Sequence, residues 1–161
     1  MRKFSARLAA LAILLCALNA AAEPAPIGPR QGWIVIHTSF PFPELVQRTE
    51  AAVQANAMNL VNAASASEGA KAQGFTIPGN RVLGVFRNDF ARRMLAASIP
   101  AGIEAPIRLY LVENQDGTST IAYRPPSIVF RPYFDGASAD LKMLAADLDP
   151  IFEKIVSDAI K

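Results

Sequence analysis

A hairpin constrains this chain more than any other feature. Asn114-Gln115-Asp116-Gly117 separates two β-rich runs, Ile107 to Val112 and Thr118 to Tyr123. Asp-Gly suits the positive backbone angles of a tight turn, so the two runs must be antiparallel neighbours. The C-terminal stretch supplies the complement. Leu141, Leu144, Ala145, Leu148, Phe152, Ile155 and Ala159 recur at three- and four-residue intervals. That stripe belongs to a long helix with one apolar face. An antiparallel sheet and such a helix each need cover, and each can cover the other.

The remaining segments extend this plan. Trp33 to Thr38 is a β-branched run and predicts the first strand, with Trp33, Val35 and His37 on one face. Pro43 opens a helix to Ala55, whose Leu45, Val46, Ala52 and Val53 share a face with Thr49. Met58 to Ala63 predicts a strand, Ser67 to Gly74 a short helical turn, and Arg81 to Phe86 another strand. Asn88 is expected to cap a helix from Asp89 to Ala97, with Phe90, Met94 and Leu95 inward. Ser127 to Phe134 is expected to be extended. Pro150 is expected to kink or restart the last helix, with Asp149 as its cap. The sum is an α+β two-layer sandwich, mostly antiparallel, with helices on one face. Its order is β-α-β4-α with inserted short helices. A single domain is expected over residues 33–161, after a flexible Pro- and Gly-containing arm at 23–32.

Residues 1–22 have the three parts of a secretory signal peptide. Arg2, Lys3 and Arg7 are followed by an apolar run from Leu8 to Leu18 and then by Ala20-Ala21-Ala22. Cleavage is expected between Ala22 and Glu23, which places the protein in the periplasm or outside the cell, with no membrane span left. Three of the chain's 16 cations lie in that leader, leaving 13 basic against 14 acidic groups, a net charge of −1. Nucleic-acid binding driven by bulk charge is thereby disfavoured. Cys16 is the only cysteine and also lies in the leader. Leu15 before it argues against lipidation there. The mature chain then has no disulfide, no thiolate ligand and no cysteine nucleophile.

Catalytic constellations are scarce. His37 is the only histidine, and no G-x-S-x-G elbow accompanies it. One histidine without cysteine does not make a zinc site. The aspartates between Asp135 and Asp149 are spread along a helix and read as a solvated face. No phosphate-binding glycine loop occurs, so no cofactor is expected. The polar cluster Arg87-Asn88-Asp89-Phe90-Ala91-Arg92-Arg93 stands at a strand end and helix start, where free amides and arginines can receive an anion. Arg92, four residues after Asn88, is expected to help more than Arg93. Trp33, Phe86, Tyr110 and Tyr123 are aromatics expected to line a cavity between the sheet and the kinked helix. The candidate ligand-binding residues are therefore Arg87, Asn88, Arg92 and Tyr123, with no catalytic and no metal residue assigned.

Ser39-Phe40, Glu68-Gly69-Ala70, Gly84-Val85-Phe86-Arg87-Asn88 and the Ile107 to Tyr123 hairpin, taken in order, resemble the domain-of-unknown-function family DUF302 over about residues 33–134. The resemblance implies a fold like a single, decorated copy of the TATA-box-binding-protein arrangement. It also implies a homodimer and no general catalytic activity. Many members carry Asp-His where this chain has Ser65 and Ala66, which removes any histidine-dependent binding at that point.

Three functions fit these observations. The first is an exported, non-enzymatic binding or accessory module for a small ligand. The second is a structural partner protein using Phe130, Tyr133 and Phe134 as an interface. The third is an enzyme using Arg87, Asn88 and a carboxylate on a small organic acid.

Overall fold

A computed structural model describes residues 26–161. The leader, its cleavage point and the start of the arm lie outside the described residues. Five strands form one sheet: β1 (Ile34–Thr38), β2 (Asn59–Ala64), β3 (Asn80–Phe86), β4 (Ile107–Glu113) and β5 (Ser119–Tyr123). Their spatial order is β1-β5-β4-β3-β2, with every neighbouring pair antiparallel. The hairpin is where the sequence places it. Gly117 takes φ +81°, a left-handed conformation that glycine adopts without strain. The first strand then pairs with the last, Ile36 opposite Ile121. This closes the sheet across most of the chain's length.

The helices are α1 (Phe42–Ala55), α2 (Ala66–Ala72), α3 (Asn88–Ala97), α4 (Pro126–Phe130) and α5 (Ala139–Ala159). Short 3-10 turns at Pro100–Glu104 and Arg131–Tyr133 join them. The register puts Leu83, Val85, Leu109, Leu111, Ile121 and Tyr123 on one face of the sheet. All six are buried beneath the helices. From α1 come Leu45, Val46 and Val53; from α5 come Leu141, Leu144, Leu148, Phe152 and Ile155. The Phe152 ring stacks on Tyr123, with centroids 6.2 Å apart. The result is a two-layer sandwich with the core between its layers.

Four local expectations need correction. Asn88 is the first residue of α3, Arg87 occupies the capping position, and no side chain caps the helix. Leu95 is 47% exposed, because the buried face of α3 centres on Met94. The segment after Pro125-Pro126 is not extended but forms α4 and a 3-10 turn. Its Phe130 is buried, and Tyr133 and Phe134 pack against the core. α5 runs through Pro150 without restarting. Asp149 does cap a helix, but a different one: its Oδ1 accepts from the Ser127 N–H in the first turn of α4.

Candidate functional site: the open face of the sheet

Strand alternation sends every second side chain away from the helices. On that opposite face lie Val35 and His37 of β1, Thr120 and Ala122 of β5, Tyr110 and Val112 of β4, and Val82 of β3. α1 and α5 cover only the other face. A groove of about 400 Å³ occupies one end of the open side. Trp33, Val82, Tyr110 and Ala122 give it apolar and aromatic surface, and Glu104, Arg108 and Arg124 give it charge. A second hollow of about 350 Å³ adjoins it, sharing Val82, Glu104 and Arg108. Volumes of this size suit a small ligand.

The charges of the groove are unevenly matched. Glu104 accepts a hydrogen bond from the Tyr133 hydroxyl at 2.8 Å and stands 3.9 Å from Arg108. That contact pushes the Tyr133 phenol upward from its ordinary value, mainly through the hydrogen bond to Glu104. Arg108 is otherwise exposed, its side chain 66% accessible. Among the described residues, Arg124 donates only to the Ile128 carbonyl, at 3.4 Å. The Arg30 guanidinium sits over the Trp33 ring, 5.3 Å from its centroid.

The four residues expected to bind ligand are not gathered. The Arg87 guanidinium is held by both oxygens of Asp89, at 2.8 and 3.1 Å, and lies 4.2 Å over the Phe90 ring. The same pairing depresses the Asp89 carboxyl. Arg87 also borders a core gap of about 30 Å³, room for roughly one water. This gap is all that the expected sheet–helix cavity amounts to there, because Leu144, Leu148 and Phe152 fill the space. Asn88 and Arg92 are exposed and border neither the gap nor the groove. Arg93 is drawn off to α5, pairing with Asp140 and Asp147 at 3.0 Å each. Two of the spread aspartates thus pin one helix to another. Tyr123 borders the groove, but its ring packs inward on Phe152. Burial first, then Glu153 and Asp149, push its phenol up to about 12. Of the four expected aromatics, Phe86 borders the gap, while Trp33 and Tyr110 border the groove on the side away from the helices.

His37 is better placed than its sequence context suggests. Its Nδ1 lies 2.8 Å from the Thr120 hydroxyl, which is fully buried. Thr120 donates to Asn114 Oδ1, Asn114 Nδ2 donates to the Thr118 hydroxyl, and Thr118 donates to Asp116. A hydroxyl has one proton, so the carboxylate at the far end fixes the direction of the whole chain. Thr120 must accept from His37, whose Nδ1 therefore carries a proton. The hydrogen bonds from Thr118 hold the Asp116 carboxyl below its ordinary value, with a smaller contribution from His37. The sequence signal was available in Asn114, Asp116, Thr118 and Thr120, but it reads first as turn chemistry. Among the described residues, no group of three His, Cys, Asp or Glu stands close enough to hold a metal. No described helix is long and apolar enough to cross a membrane.

Sheet, helical cover and groove define a two-layer α+β sandwich with one sheet face that α1 and α5 leave free. Within that class, residues 34–158 match the family described as domain of unknown function DUF302, and the chain belongs to it. The fold is similar to the crystal structure of an uncharacterized conserved protein DUF302 from Bacillus stearothermophilus. The TM-score is 0.69 at 18% identity, covering 81% of this chain and 99% of that one. No curated protein matches the chain.

Proposed function

We propose that this protein is an exported, non-enzymatic binding module, working as a homodimer, whose ligand lies in the open-face groove. The observation that carries the reading is the groove itself: about 400 Å³ at the end of the sheet face that α1 and α5 leave free, where Trp33 and Tyr110 meet Arg108 and Arg124. Pockets for small ligands combine an apolar wall with a few polar groups in this way. Export is supported by the cationic start, apolar run and alanine triplet of residues 1–22. Self-association is supported by Leu95, Ile99 and Ile103, exposed at 47, 79 and 80% on α3 and the turn after it. The enzyme reading loses its cation, since Asp89 already occupies Arg87.

Native mass spectrometry of protein recovered from the periplasm tests this. The expected result is a dimer of chains beginning at Glu23 that retains a small molecule. A clean dimer carrying nothing would overturn ligand binding and favour a purely structural role. An uncleaved chain in the cytosol would overturn export.

A further inference from the structure

The β4–β5 register pairs Leu109 with Tyr123 and runs antiparallel. One residue further, Arg108 stands opposite Arg124, on the face turned away from the helices. Both border the groove. Like charges directly across two strands repel, and a sheet ordinarily avoids the arrangement. Among the described residues a single carboxylate, Glu104, reaches one of the pair, and only at 3.9 Å. Arg124 has no acidic partner among the described residues. A carboxylate placed between the two guanidiniums would receive charge-assisted hydrogen bonds from both and cancel the repulsion.

The next layer of the same face says what the rest of the ligand is. Ala122 lies opposite Tyr110, Tyr110 opposite Val82, and Ala122 opposite Val35. That row carries no charge and runs alongside the arginine pair, two residues further along the same strands, and Trp33 lines the same groove. A ligand anchored at the arginines would lay its body along an apolar track. We infer that the groove binds a small amphipathic monocarboxylate, its carboxylate between Arg108 and Arg124 and its alkyl or aromatic body on the half-buried Tyr110, Val82 and Trp33. The inference rests on the groove reading above and adds the ligand's chemical class.

Trp33 is the only tryptophan in the chain and borders the groove, so its fluorescence reports occupancy directly. Sodium octanoate and 1-octanol serve as probes of equal chain length, one charged and one neutral. Octanoate is expected to shift the Trp33 emission saturably and at least tenfold more tightly than octanol. Arg124→Gln should weaken octanoate about tenfold and leave octanol unchanged. Arg108→Gln, at an exposed side chain that does not hold the fold together, should do the same if Arg124→Gln proves unstable. Equal binding of the two probes, or no response to either substitution, would overturn the carboxylate assignment while leaving the groove as a site. Silence of Trp33 towards both probes would overturn the groove reading and this inference with it.

Discussion

Replacing Phe152 by alanine tests whether α5 is part of the core. Phe152 is fully buried and stacks on Tyr123 across the helix–sheet interface. It also borders the small gap beneath α3, shared with Leu144, Leu148 and Phe130. The substitution leaves roughly 100 Å³ of ring volume empty, which at ~24 cal/mol per Å³ costs about 2 kcal/mol. Lost transfer of the ring out of water adds about 2 kcal/mol more. The sum lies within the range of about 3–5 kcal/mol known for buried aromatic deletions. The gap already present enlarges the resulting cavity and makes full collapse of the neighbours less easy. Urea unfolding followed by circular dichroism measures the loss, with Leu95→Ala as the comparison. Leu95 is half exposed, and its truncation should cost less than about 1 kcal/mol. A loss below about 1 kcal/mol for Phe152→Ala would refute the packing described here and make α5 peripheral.

Tyr123 should ionise late, at about 12. A phenol raised on folding stabilises the native state fully below its unfolded value near 10, and that contribution disappears as pH rises towards 12. Unfolding free energy should fall across that window, and Tyr123→Phe should flatten the fall; an unchanged alkaline limb would contradict the buried placement. Thr120→Val removes the hydroxyl that takes the His37 proton and gives one to Asn114. It should cost about 0.5–1.5 kcal/mol, the net worth of a hydrogen bond whose partners, exposed His37 and half-buried Asn114, keep access to water. Imidazole 15N shifts should also move from the Nδ1-protonated form towards the commoner Nε2-protonated one, and unchanged shifts would break the assigned direction of the chain.

The elements with a strong period or a strong turn were legible in the sequence. The α5 stripe shows because seven apolar residues repeat at helical spacing, and the hairpin shows because Asp116-Gly117 supplies the backbone angles it needs. The helical state of Pro126–Tyr133 was not legible. Val129, Phe130 and Tyr133 suit a strand by propensity, and tertiary support from Asp149 decides otherwise. The groove was still less accessible. Arg108 and Arg124 face each other across the β4–β5 hairpin, but Trp33, far off in sequence, joins them only because the first strand pairs with the last. Local reading points instead to Arg87, because the two-point clasp in which Asp89 holds it is a matter of side-chain geometry that the sequence does not display.

The claim that the groove is the binding surface is tested most directly by amide and indole shift mapping of the 15N-labelled protein with octanoate. The account predicts that the largest shifts fall on Trp33, Val82, Arg108, Tyr110, Ala122 and Arg124, and that the start of α3 stays silent. Shifts concentrated on Arg87, Asn88 and Arg92, or no saturable shifts at all, would contradict it.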